Sequence, residues 1–199
     1  VTGANDAPDA GSNAVGAVTE DATATTATGT ISATDADDSA FTYTGDATGT
    51  YGAIAVASDG AWTYTLNNAD ADTTALDSTD SVTDAFTMTV TDSDSSETDT
   101  MTVTITVTGA NDAPDAGSNA VGAVTEDATG TTATGSISPT DVDTGAAFTY
   151  TGDATGTYGA IAVTNAGAWT YTLNNADADT TALDADDSEI GRASCRERV

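Results

Sequence analysis

The chain has 199 residues, with 32 Asp and Glu against three Lys and Arg, no His, and a formal net charge of −29. A chain of this sign has almost nothing with which to neutralise phosphates, which sets nucleic acid aside as a partner, and an anionic membrane surface repels it. No stretch is long and apolar enough to span a bilayer, so direct membrane insertion is not expected.

In chain order, the first feature is a polar segment, Asn5-Asp6-Ala7-Pro8. Apolar and Thr residues then begin to alternate, which is the mark of half-buried strands. Strands are predicted over 15–19, 28–33, 40–44, 51–57, 62–66, 86–90 and 101–107. Glu20-Asp21 follows the first of these, and Asp35-Ala36-Asp37-Asp38 follows the second. Asp59-Gly60 reads as a tight hairpin turn, and a single helical turn is allowed near 69–76. Asp77 follows Leu76, and Asp92-Ser93-Asp94 follows the sixth strand. The predicted core holds Val18, Ile31, Phe41, Tyr43, Ile54, Val56, Trp62, Tyr64, Leu66, Leu76, Phe86, Met88, Val90, Val103 and Ile105. Both Trp residues, Trp62 and Trp169, sit in alternating strands and read as core, not as sugar-stacking platforms.

The sequence then repeats. Residues 1–8 return unchanged as 107–114, and up to Thr34 only Ala24, Thr30 and Ala33 differ from their partners Gly130, Ser136 and Pro139. After a one-residue insertion near Thr144-Gly145, Phe41 pairs with Phe148, Trp62 with Trp169 and Leu76 with Leu183. Such near-identity points to an array of like units. The expected organisation is a linker from a preceding repeat over 1–12, a complete Ig-like repeat over 13–108, an inter-repeat linker over 109–118, and a second repeat lacking its last two strands over 119–188. Residues 189–199 break the composition: Arg192, Arg196, Arg198 and Cys195 all fall there. Back-translated, they resemble one strand of a sequencing-library adapter, so this tail is read as an artefact.

Seven or so short strands per repeat, with turns at regular spacing, predict an all-β chain of tandem Ig-like, antiparallel Greek-key β-sandwiches, the second copy truncated. With no His or Lys and only the tail Cys, the usual nucleophile–base pairs are missing, and no enzyme is expected. The acids gather at strand ends and linkers. Asp-x-Asp brings two carboxylates within reach of one ion, and Ca2+ takes six to eight oxygens. The same residues admit plainer readings: Asp35 and Asp37 as a turn whose side chains cap backbone N–H groups, and Asn111-Asp112-Ala113-Pro114 as a linker turn. Glu20-Asp21 stands evenly between the two, and Asp70, Asp72, Asp177 and Asp179 read as solvated loop charges.

Thr34-Asp35-Ala36-Asp37 and the run from Thr104 to Pro114 resemble a cadherin-type repeat. With Val18-Thr19-Glu20-Asp21 and the stretch from Gly60 to Asn68, the whole of 1–188 is similar to the VCBS or bacterial cadherin-like repeats of giant secreted RTX-type adhesins. The resemblance implies calcium ligands at Glu20, Asp77, Asn111, Asp112, Asp141 and Asp143. At the start of the first repeat it implies Asn5, Asp6, Asp35 and Asp37, with Asp92 as a further ligand late in the domain. Gly109 stands where that family's linker opens with Asp, and Leu76-Asp77-Ser78-Thr79 carries one carboxylate fewer than the family's motif. The function implied is a secreted, cell-surface structural repeat of an adhesin or biofilm protein, stiffened by Ca2+, whose partners are neighbouring repeats and a host or biofilm surface. Two alternatives are a glycan- or cell-binding module and a calcium-independent acidic spacer adapted to salt.

Overall fold

A computed structural model describes residues 2–94, 97–152, 154–185 and 187. The basic tail 189–199 and Ser188 lie outside them. The chain divides into two compact units: the first is 1–112 with Val142–Thr144, and the second is Ala113–Asp141 with 145–199.

The first unit carries eight strands: β1 (Ala14–Thr19), β2 (Thr26–Thr30), β3 (Phe41–Thr44), β4 (Ala47–Thr48), β5 (Gly52–Val56), β6 (Ala61–Leu66), β7 (Ser81–Asp92) and β8 (Thr98–Thr108). They form two four-stranded sheets, in the orders β1-β8-β7-β3 and β2-β6-β5-β4. The period-two pattern works as the sequence implies. On β8, Met101, Val103, Ile105 and Val107 are buried while the intervening Thr residues face outward. β6 does the same from the opposite sheet with Trp62, Tyr64 and Leu66. The two sheets meet where the rings of Tyr64 and Phe86 lie 5.8 Å apart at a tilt of 50°. Every predicted core residue is buried or packed against the core, and the sequence reading missed Ala10, Met101 and Val107.

One part of the expectation is corrected. The sheets are not wholly antiparallel, because β1 runs parallel to β8 over Ala14↔Val103 to Thr19↔Thr108. No short hairpin joins these two strands, which stand at opposite ends of the repeat, so connectivity does not force them to oppose each other. The β5–β6 hairpin is present, closed by Gly60 N–H to Ala57 O (3.0 Å) with Gly60 at φ 85°, so its loop is a type I turn followed by a left-handed glycine. Residues 69–76 hold a short run of turns, and no element there is helical.

The indole of Trp62 lies flat across the backbone of β1 and β2. A Cβ on Gly29 would stand 2.5 Å from its Cζ2, and one on Gly16 would stand 3.1 Å from its Cη2. Those two glycines leave the space a large buried ring needs in a strand interior.

The second unit holds β9 (Thr132–Ser136), β10 (Ala154–Thr155), β11 (Gly159–Val163) and β12 (Ala168–Leu173), in one antiparallel sheet ordered β10-β11-β12-β9. This sheet corresponds to β2-β6-β5-β4. Residues 120–125 and 148–151 have the same sequences as β1 and β3 but no strand structure. In the first unit β1 draws its ladder from β8, and β3 from β7. No counterpart of β7 or β8 occurs among the described residues of the second unit.

Candidate metal centre

Two groups of acids form in the first unit. The first group gathers around the start of the repeat. Asp92 ends β7 in phase with Phe86, Met88 and Val90, so alternation turns its carboxylate inward and it is buried. Asn5 Nδ2 donates to Asp92 Oδ2 (3.0 Å), to Glu97 Oε2 (3.4 Å) and to Asp6 O (2.7 Å). Asp92 Oδ1 accepts from Asp94 N–H (3.1 Å). An amide thus serves as donor between two carboxylates in a chain whose basic residues all lie elsewhere.

Opposite stand Asp35 and Asp37. Asp35 Oδ1 accepts from the N–H groups of Asp37 (3.0 Å) and Asp38 (3.3 Å), which is the turn-capping role. Its Oδ2 is buried, and no N–H or O–H donates to it. Asp37 Oδ1 accepts from Asp6 N–H (3.2 Å). The amide of Asp37 holds the Asp35 carboxyl below its usual range. Asp37 is pushed up: the Asp6 amide pulls it down, but contact with Asp35, lost hydration and the charges of Asp35 and Asp6 outweigh that. Asp38 is raised too, by lost hydration and then by the charges of Asp92, Asp94, Asp37 and Asp35.

The second group forms where β1 ends. Ala14, Gly16 and Val18 face inward, and Glu20 continues their phase one residue beyond the strand, held by its N–H to Thr108 O (2.9 Å). A carboxylate is therefore carried inside, and Glu20 is only 2% exposed. Its Oε2 accepts from Ala110 N–H (3.2 Å), while its Oε1 is buried without any hydrogen-bond partner. Burial raises its pKa, the Ala110 amide opposes that, and the charges of Asp112, Asp21 and Asp143 raise it further. Asp112 N–H donates to Asp143 Oδ2 (2.9 Å), the same bond that Asp6 makes to Asp37 at the equivalent positions. Asp77 Oδ1 takes the N–H and hydroxyl of Thr79, both at 2.6 Å, and those bonds lower its pKa. Asn111 Nδ2 donates to Asp112 O.

Gly109, which interrupts the linker motif, has a steric cause. A Cβ there would lie 2.2 Å from Asp77 O and 2.7 Å from Leu76 Cβ. The strand end packs too closely on the 76–77 loop to admit an aspartate.

The structure thus brings together Asn5 with Asp92, Asp6 with Asp37 and Asp35, and Asp112 with Asp143, and it buries Glu20 beside the last pair. Asp141 lies half-buried in the second unit. The acids meet largely in pairs: among the described residues no group of three or more is gathered so as to hold a metal ion. The donor set itself suits a hard cation, being all oxygen, with the buried Glu20 Oε1 and Asp35 Oδ2 turned away from every hydrogen-bond donor. Asp38 and Glu97 join the first group without having been singled out. Asp38 adjoins the Asp-x-Asp motif and was legible, whereas Glu97 reaches Asn5 only because the β7–β8 turn folds back. Asp70 and Asp177, read as solvated charges, cap local turns through the amides of Asp72 (3.0 Å) and Asp179 (2.9 Å). Both Trp rings are buried and offer no exposed platform.

A further buried acid escaped the sequence reading. Asp84, on β7, is 4% exposed and accepts from Tyr64 Oη (2.8 Å), Thr50 N–H (2.9 Å) and Tyr51 N–H (3.1 Å). Burial, then the bond to Asp84 and its charge, push the Tyr64 phenol well above its ordinary value.

No helix among the described residues is long and apolar enough to cross a membrane. No curated protein sequence matches significantly. Among solved structures, the extracellular cadherin domains 1–4 of protocadherin gamma B7 align with a TM-score of 0.52 at 17% identity, covering 88% of this chain and 43% of that one. Domains EC1–3 of mouse protocadherin-24 give 0.47 at 14% identity, covering 94% and 67%. An endo-fucoidan hydrolase gives 0.37 at 17% identity, covering 96% and 28%. The chain spans less than half the length of the first of these, whose likeness shows a shared cadherin fold. The family model of the bacterial cadherin-like domain matches residues 5–109, more than half of the sequence, and the chain belongs to that family.

Proposed function

We propose that this chain is a non-catalytic structural segment of an extracellular bacterial adhesin or biofilm protein whose acid groups take up calcium. The observation that carries the reading is Glu20: a buried carboxylate with one oxygen lacking any donor, faced by the charges of Asp21, Asp112 and Asp143. A buried, unpaired charge among like charges is costly, and nothing basic in the repeats can offset it. A divalent cation would. Glu20, Asp77, Asn111, Asp112 and Asp143 would hold one site. Asn5, Asp6, Asp35, Asp37 and Asp92 would hold its equivalent at the start of the repeat, where rotation of the Asn5 amide would turn its oxygen to the ion. Bound Ca2+ would cancel repulsion among the carboxylates and stiffen successive repeats. Extracellular modules bind calcium at about 10⁻⁴–10⁻³ M, so the stiffening would act outside the cell.

The test is thermal unfolding of the chain in EDTA, in millimolar CaCl2 and in MgCl2 of matched ionic strength. Calcium alone should raise the melting temperature, by mass action on the folded state, and Glu20→Gln should diminish the rise. Equal responses to both salts would mean screening. The chain would then be an acidic, salt-adapted spacer.

A further inference from the structure

In the first unit both sheets hold four strands, and β1 forms one lateral edge of the sheet ordered β1-β8-β7-β3. Among the described residues only β8 pairs with it. Glu20 N–H reaches Thr108 O, and alternation gives the same direction to Val18, Gly16 and Ala14. Val15, Ala17 and Thr19 therefore aim their amides and carbonyls away from β8, and their side chains are exposed. Edges of this kind are usually guarded by a charge, a proline or a bulge. The run Ala14-Val15-Gly16-Ala17-Val18-Thr19 has neither charge nor proline, and its register with β8 is unbroken. It presents instead Val15, a large apolar side chain that is 79% exposed. The other edge strands, β2, β3 and β4, are shorter, at five, four and two residues, and none carries such a side chain.

We infer that β1 is a self-association edge, which pairs antiparallel with β1 of a second copy of this chain and joins two sheets into one. Two observations select that occupant. The first is that the outward groups match themselves. With Ala17 facing Ala17, Val15 of each copy faces Thr19 of the other, so all three outward residues meet in hydrogen-bonded pairs. Thr19 O also accepts from Ala22 N–H (3.4 Å), and its second lone pair serves the new bond. The second observation is charge. Ser12-Asn13 precede the strand and Glu20-Asp21 follow it. Antiparallel pairing sets Glu20 against Ala14 and Asp21 against Asn13, whereas parallel pairing would set acid beside acid. The contact is two-fold symmetric, so it closes on itself as a pair of repeats. Each copy carries a net charge of −29, so the pairing tightens as salt screens the repulsion.

The test is sedimentation equilibrium of the intact chain at about 0.3 mM, in about 0.02 M and about 0.5 M NaCl, between which the Debye length falls from about 20 Å to about 4 Å. The parent should dimerise at the higher salt and less at the lower. Ala17→Pro removes an outward donor and leaves the bonds to β8 in place. Val15→Asp puts a charge on the edge at an exposed site. Each should raise the dissociation constant about tenfold or more, whereas Ala55→Asp, on the exposed face of the interior strand β5, should leave it unchanged. Tryptophan fluorescence checks that each variant is folded. Register is read by cross-linking in a Cys195→Ser background. Facing Cα atoms of a bonded pair stand about 5.5 Å apart, within disulfide reach, so Ala17→Cys should form disulfide dimers about tenfold faster than Thr28→Cys on the exposed face of β2. A parent that stays monomeric at both salts overturns the inference. So does association that Ala17→Pro and Val15→Asp leave intact, and equal cross-linking rates assign the contact to another surface.

Discussion

Removing the Asp84 carboxylate should unfold the first unit more readily than any exposed acid would. Asp84→Ala leaves three donors behind: the Tyr64 hydroxyl and the Thr50 and Tyr51 amides. Hydrogen bonds to a charged group contribute about 1.5–3 kcal/mol each. The two amides border solvent and recover part of theirs from water, so the net loss comes to about 3–5 kcal/mol, the range for breaking a buried charged network. For a unit of this size that lowers the melting temperature by about 12–25 °C. The assay is urea unfolding followed by tryptophan fluorescence in a Trp169→Phe background, so that Trp62 reports the first unit alone. Urea is preferred because guanidinium would screen a net charge of −29. A double-mutant cycle with Tyr64→Phe isolates the 2.8 Å hydroxyl bond and should show coupling of about 1–2 kcal/mol. A single-mutant loss under about 1 kcal/mol, or a cycle with no coupling, would refute the claim that this network holds β7 to the opposite sheet.

Two further outcomes follow from the same packing. Glu20 has its folded pKa raised above the ordinary glutamate value of 4.5 by its burial, so its ionised form is strained in the folded state. In EDTA, stability should increase as pH falls from neutrality through that raised value toward 4.5, because the folded state then binds more protons than the unfolded one. Asp35, Asp77 and Asp99, the last through the Ala10 N–H that donates to its Oδ2 (2.9 Å), are depressed and act oppositely, losing their contributions only as pH falls below the usual aspartate value of 3.8. Comparing Glu20→Gln with the parent by thermal melts between pH 4.5 and 7 isolates the Glu20 part; identical slopes would dismiss it. Gly29→Ala should cost about 1–3 kcal/mol by driving a methyl into the Trp62 indole, 2.5 Å away, and an unchanged urea midpoint would contradict that packing.

Much of the fold was legible because alternation is a local property. Phe86, Met88 and Val90, and Met101 to Val107, announce their strands by period two alone. The acids that matter most obey the same rule. Asp84 and Asp92 fall in phase with Val82, Phe86, Met88 and Val90, and Glu20 in phase with Val18, so their burial could have been read from position. Their polarity argued for the surface, and only the packed structure supplies the amides and the hydroxyl that let Asp84 stay inside. The parallel partnership of β1 with β8 was not legible, since nothing local specifies a neighbour so distant in sequence. Residues 120–125 make the same point: six residues identical to β1 form no strand in the second unit, where no counterpart of β8 occurs among the described residues. Gly109 shows the reverse case, a departure from a familiar motif that becomes intelligible once the Asp77 carbonyl is seen beside it.

The parallel pairing of β1 with β8 also decides how this repeat bears a pull along its length. Tension applied at the two ends of the unit draws β1 back toward its beginning and β8 onward toward its end. Because the strands run the same way, the two tugs are opposed along a common axis. The six-residue register from Ala14↔Val103 to Thr19↔Thr108 is loaded in shear, all its bonds sharing the force together. An antiparallel pair gripped at one edge would instead peel open a bond at a time. The first and last strands of the repeat thus act as a mechanical clasp, strongest against a pull along the length of the repeat.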